Sequence, residues 1–176
     1  MTTKVQSLVL WTVLAGLLNL ALIRFLGQKS WDRIEHSFIG VLLLLVFAAF
    51  IRRGVRDRLV WVLMALLPCY LGTVWPDWDI RLLGIGGHRN PLFHSSLAAW
   101  ILLALWPGSW PGRAVMVGGF AIGVASHLFW DVLFYGDVRW LPGRFWDRVW
   151  LFSHGLLAGW AALRSQVIFK HDRALS

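Results

Sequence analysis

The sequence predicts an all-α polytopic membrane protein, a bundle of about six transmembrane helices forming one membrane-embedded domain over residues 1–176. Three observations predict it. Apolar residues fill 58% of the 176 positions and charged residues only 15%, with a mean hydropathy of +0.63, whereas soluble domains run about 45–50% and about 25%. The apolar residues also gather in six runs, most of them close to the ~20 residues a span needs. Thirteen tryptophans complete the pattern. Trp75, Trp78, Trp106, Trp110, Trp140, Trp146 and Trp150 sit near the ends of runs, where an aromatic belt lies.

The first run, 5–26, follows Lys4 and is read as an uncleaved span, because it is long and no small-residue cleavage site follows it. The others are 36–51, 59–76, 91–106, 114–135 and 149–169, joined by short charged or Gly/Pro-containing connections. The second and fourth are short, so they must thin the bilayer, borrow flanking residues or be shielded by neighbours. Pro68 is expected to kink the third. Gly84-Ile85-Gly86-Gly87 is not followed by the GK[ST] of a phosphate loop and serves to turn the chain before His88. There is no internal repeat.

A net charge of +8 would suit nucleic acid, but the seventeen Lys and Arg are scattered between apolar runs. They read as membrane orientation, and no nucleic-acid partner is expected. Arg52, Arg53, Arg56 and Arg58, with Lys4, Arg113, Lys170 and Arg173, mark the cytoplasmic side and place both termini there. Lys29, Arg33, Arg81, Arg89, Arg139, Arg144 and Arg148 fall on the opposite side. The single cysteine, Cys69, excludes an intrachain disulfide and a CxxC metal knuckle.

Ionisable residues within membrane spans are costly and point to function. Alternating the direction of successive spans brings His36, Asp77, Asp79, His88, His94, His127, Asp131 and His154 to one side of the bilayer, away from the Arg52–Arg58 cluster. At 1.5 Å per residue, His94, His127 and His154 then lie within roughly 5–12 Å of that side's helix ends. One polar pocket, opening away from the cytoplasm, can collect them. His127 and Asp131 form an HxxxD pair, one turn apart on one helix face, as a chelating metal site requires. Asp77 and Asp79, just after Pro76, add two carboxylates; His88, Arg89, His94 and Ser95 add two imidazoles, a guanidinium and a hydroxyl. Imidazole with carboxylate suits one or two divalent ions, Zn²⁺ or else Mn²⁺ or Fe²⁺.

Each residue also has an ordinary explanation. A lone membrane histidine is commonly a helix–helix hydrogen-bond partner, and a carboxylate at a helix end is commonly solvated. Five clustered histidines change that balance, and Asp131 in an apolar stretch needs His127 or a metal as partner. Asp32, Glu35, Asp137 and Asp147, with nearby arginines, read as surface charge pairs, and His171-Asp172 as a solvated tail.

The motifs IEHSFIG, WPDWDI, GGHRNPLFHSS and SHLFWDVL resemble the LexA-regulated, membrane-bound metal-dependent hydrolases, a group of small bacterial inner-membrane proteins. The resemblance covers about residues 36–143 and rests on the order of an early His, PDxD, HR with a following HS, and HxxxD. That family is distantly similar to the zinc-dependent phospholipase C and single-strand nuclease superfamily, all-helical phosphoesterases with a metal cluster. The resemblance implies that Asp77 or Asp79, His94 or His88, His127 and Asp131 ligate one metal, that His36 and a bridging Asp131 hold a second, and that Arg89 neutralises a phosphate. The chain departs from the pattern at Phe93, where the family has Thr, and at Ala158, which follows His154 where the superfamily's third metal needs Glu.

The expected function is thus a metal-dependent hydrolase of a phosphoester such as a lipid head group, with the non-ligating Asp of the Asp77/Asp79 pair as base and Arg89 on the phosphate. The alternative is a non-enzymatic multi-pass protein, structural or partner-binding, or a divalent-metal carrier. A carrier needs ionisable groups along a path, and the half opposite the pocket has almost none within the runs. A b-haem protein needs axially facing histidines, against which the Asp cluster argues.

Overall fold

The computed structural model describes residues 6–7, 9–10, 13–14, 16–18, 32–50, 54–106, 112–134, 138 and 141–174. These residues are all-helical, with no strand among them. In chain order they form α1 (Asp32–Phe50), α2 (Val55–Val74), the short α3 (Trp78–Leu83), a 3₁₀ turn (Ile85–Gly87), α4 (Leu97–Leu105), α5 (Arg113–Phe134) and α6 (Arg144–Ala174). More than half of the 5–26 run lies outside the described residues, as do Lys4, Lys29, Arg52, Arg53, Trp110, Asp137, Arg139 and Trp140 and the side chains of Asp32, Arg33, Lys170, His171, Asp172 and Arg173.

Helix α5 is the centre of the molecule. In its most apolar stretch 78% of residues are buried, against 33% in α2, so α5 is enclosed while α2 shows a broad apolar face outward. The reason is side-chain size. Gly119 and Gly123 form a small-xxx-small strip on α5, and Ala65, Cys69, Gly72 and Thr73 form the facing strip on α2 at the i, i+4, i+7, i+8 spacing of one helix face. The backbones touch there. A methyl built on Gly123 would overlap the Cys69 carbonyl oxygen, one on Gly72 the Phe120 carbonyl, and one on Gly119 would stand 2.8 Å from the Ala65 carbonyl. Trp61, Leu44, Ile122 and Ala161 close the core at the Arg113 end of α5, and Leu128, Val138, Leu151 and Ala158 close it on the α6 side. Val13 packs with Ile39, Leu42 and Trp130.

Two helices, α2 and α5, are long and apolar enough to cross a membrane, and Ile34–Phe50 within α1 is a shorter apolar helix. This points to membrane association. The fourth run differs from expectation. Helix forms only over Leu97–Leu105, nine residues or about 14 Å at 1.5 Å per residue, too short for a ~30 Å hydrocarbon core. Local chemistry explains the shortfall. Pro91 disfavours helix at Asn90, the Asn90 side chain takes the Leu92 N–H at 2.9 Å, and the Ser95 hydroxyl takes the Leu97 N–H at 3.2 Å, so residues 91–96 are turns. Helix α6 has the length of a span but carries Ser153, His154, Arg164, Ser165 and Gln166 among its apolar residues. Helix α2 runs unbroken through Pro68 and stops at Val74, two residues before Pro76.

Candidate metal centre

The site is built where α2 ends and α5 approaches its last turns. The last four carbonyls of a helix have no partner within it, and one of these, the Thr73 carbonyl on α2, accepts from His127 Nδ1 at 2.7 Å. A carbonyl can only accept, so Nδ1 carries a proton and Nε2 is the nitrogen left to serve as a ligand. That nitrogen faces Asp131 Oδ2 at 3.4 Å and Asp77 Oδ1 at 3.9 Å. A backbone carbonyl behind the imidazole is the usual support of a metal-ligating histidine. His36 on α1 stacks on the His127 ring, centroids 3.9 Å apart and planes 10° from parallel, and its Nε2 lies 3.7 Å from Asp131 Oδ1. His94 reaches Asp131 Oδ2 with its own Nε2 at 3.7 Å.

Asp79 organises the other side. Fully buried at the start of α3, it accepts from His88 Nδ1 at 3.1 Å and from the Asn90 backbone N–H at 2.9 Å, and it faces His94 Nδ1 at 3.3 Å. Arg89, between His88 and Asn90, has φ of 64°. This left-handed turn, uncommon outside glycine, lets residues on both sides of it meet one carboxylate. Burial pushes the Asp79 carboxyl up, but His94, the Asn90 N–H and His88 outweigh it and hold the group near a pKa of about 2, below its ordinary 3.8.

Acid stability tests that arrangement. A carboxyl whose folded pKa is depressed stabilises the fold above its unfolded value, and the contribution is lost as pH falls through the folded one. In the metal-free protein, Asp79→Asn is expected to flatten the stability profile between about pH 4 and about pH 2, measured by circular dichroism in detergent. An unchanged slope would exclude Asp79 as the anchor of the His88 and His94 rings.

Two sets of donor atoms result, each within 4.8 Å of one another: His36, His127 and Asp131, all buried, and Asp77, His88 and His94. The chemistry fits a divalent cation. Ligands about 2.0–2.1 Å from a tetrahedral ion stand roughly 3.4 Å apart, close to the 3.4 to 3.7 Å between the Asp131 oxygens and three imidazole Nε2 atoms. His94 is fully buried; its Nδ1 faces Asp79 Oδ2 at 3.3 Å, while its Nε2 makes no hydrogen bond, an arrangement that burial makes costly unless an ion satisfies that nitrogen.

The fold thus gathers His36, Asp77, Asp79, His88, His94, His127 and Asp131 in one place. His154 is not among them. Its Nδ1 faces the Ser96 hydroxyl at 3.0 Å and takes the Ser96 N–H at 3.3 Å, and it belongs to neither donor set. Helix α6 instead braces the site through Trp150, whose Nε1–H donates to the His94 carbonyl at 2.9 Å.

Two acids read as surface charges are buried, Glu35 and Asp147. Glu35 follows the α1 face that packs on α5, and its Oε2 accepts from Trp130 Nε1 at 3.3 Å. The neighbouring arginines in sequence concealed this. The Thr73 carbonyl and the Asn90 N–H carry no side-chain signal; only Pro76, which stops α2, hints at the first.

No family model, curated protein or solved structure matches the chain.

Proposed function

We propose that this protein is a multi-pass integral membrane hydrolase, metal-dependent and acting on a phosphoester such as a lipid head group. The observation that carries the proposal is the convergence of three imidazole Nε2 atoms on the two oxygens of one buried carboxylate, Asp131, beside a second set made of Asp77, His88 and His94. Membership of the LexA-regulated, membrane-bound hydrolase family is part of the same proposal and rests on the order of the motifs. So does a multi-pass topology with the site opening on the outer side of the inner membrane, in which the 91–106 run, helical only over Leu97–Leu105, is not counted as a full span.

The residues divide the work. Asp131 with His36 and His127 would hold one divalent ion, and Asp77, His88 and His94 would hold another. Asp79 acts on the rings of His88 and His94 and is a positioning residue, not a ligand. A bound divalent cation, zinc or else manganese or iron, supplies Lewis-acid polarisation of the phosphoryl group. Asp77, partly exposed like His88 and at the edge of the buried cluster, is placed to accept a proton from attacking water. Arg89 is assigned to the phosphate oxygens, which a guanidinium meets in bidentate fashion.

The test is elemental analysis of the detergent-solubilised protein, joined to a panel of phosphomonoester and phosphodiester lipids. Retention of one or two equivalents of zinc, manganese or iron, with metal-dependent cleavage of one lipid class, is the expected result. A protein that stays metal-free after incubation with these ions holds only a polar packing cluster and is not this enzyme.

A further inference from the structure

Asp77 belongs to two features at once. It is a member of the second donor set, and it lines a cavity of about 200 Å³ whose other walls are Tyr70, Leu71, Val74, Trp78 and Arg81. We propose that this cavity is the head-group subsite for an anionic phospholipid that enters sideways from the bilayer, with the Arg81 guanidinium holding the phosphate next to Asp77. The inference rests on the membrane hydrolase reading and gives it a substrate class and an approach route.

The composition of the walls carries the argument. Tyr70 and Leu71 belong to the outward face of α2, which continues away from the cavity as Leu67, Met64 and Leu63; all five are well exposed. A soluble substrate would gain nothing from that apolar strip, whereas acyl chains lie along it in place of bilayer lipid. The cavity is too small for the chains themselves and suits a phosphate with its glyceryl unit. Tyr70 and Trp78 bring amphipathic rings to the level where head group meets chain.

Charge selects the head group. The lining holds one cation, Arg81, and one carboxylate, Asp77, four residues apart, with Asp77 just before α3 and Arg81 in its last turn. Asp77 is turned towards His127, at 3.9 Å. A phosphate between Arg81 and the donor sets meets a guanidinium fork on one side. Leu82, Leu83 and Ile85, strongly exposed just beyond Arg81, extend the apolar rim around the opening. Arg89 sits on the turn after the 3₁₀ segment, so the subsite uses a different cation from the one the motifs single out.

The experiment reads binding, so it needs neither metal nor turnover. Chelator-treated protein is placed in phosphatidylcholine vesicles carrying a trace of phosphatidic acid with a photoactivatable diazirine in one acyl chain. Parallel vesicles carry a diacylglycerol with the same diazirine, and labelled peptides are mapped by mass spectrometry. Labelling of the 63–78 segment is expected to favour the phosphatidic acid probe, and Arg81→Gln is expected to reduce that preference about tenfold, with Arg81→Lys recovering part of it.

Equal labelling by both probes, or an Arg81→Gln protein indistinguishable from wild type, overturns the proposal. Complete displacement of the label by millimolar inorganic phosphate makes the cavity a site for soluble anions and overturns the lipid assignment. The two proposals fail separately. Loss of probe preference leaves metal content and hydrolysis standing, while a metal-free protein that keeps the preference retains the lipid subsite without the enzyme.

Discussion

Gly123→Ala is expected to destabilise the protein by about 3 kcal/mol or more, the upper range for overpacking, and to empty the metal centre as it does so. The added methyl would overlap the carbonyl oxygen of Cys69 and crowd the Thr73 backbone nitrogen at 2.8 Å. Both neighbours are backbone, which cannot rotate aside, so α2 and α5 must separate. The same two helices hold the Thr73 carbonyl 2.7 Å from His127 Nδ1. A shift large enough to admit a methyl breaks that bond and releases the ring. The control is Gly159→Ala on α6, where a Cβ meets nothing within 4 Å; it should be neutral or raise stability by up to about 1 kcal/mol through helix propensity. Thermal unfolding in detergent and metal content are measured together. Equal melting temperatures for the two variants would refute the claim that α2 and α5 pack through their backbones.

The sequence reading and the structure agree where side-chain chemistry is strong and diverge where backbone decides. The HxxxD spacing puts His127 and Asp131 on one turn, and the structure holds them 3.4 Å apart. Asp77 and Asp79 look alike in sequence. They separate only in three dimensions, because α3 begins between them and turns Asp79 inward to the Nδ1 atoms of His88 and His94 while Asp77 stays at the edge of the cavity. The 91–106 run fails as a span for a related reason. Hydropathy sums side chains, but Asn90, Pro91 and Ser95 act on backbone hydrogen bonds, and they hold His94 in a turn under the site instead of on a helix. His154 shared the side and the residue type of the others. What removes it is Ser96, which occupies its Nδ1.

Asp131→Asn is expected to lower metal affinity by more than about 100-fold, and Asp79→Asn by about 10–100-fold, the range for a partner behind a ligand. The difference follows from where each carboxylate stands. Both Asp131 oxygens face imidazole Nε2 atoms, so an amide there removes the negative charge shared by His36, His94 and His127 and turns an N–H₂ donor towards lone pairs that a cation would occupy. No repositioning restores that charge. Asp79 touches Nδ1 atoms instead. An asparagine at 79 still offers one carbonyl oxygen to one ring but presents a donor to the other, so one of His88 and His94 loses its preferred tautomer while the Nε2 donors survive. Excess metal should therefore rescue the Asp79→Asn protein and leave Asp131→Asn empty. Competition against a chelator of known affinity measures both, and circular dichroism establishes that each variant remains folded. Equal losses, or rescue of both, would make Asp79 a ligand in its own right and dissolve the distinction between the carboxylate that holds the ion and the one that aims the rings.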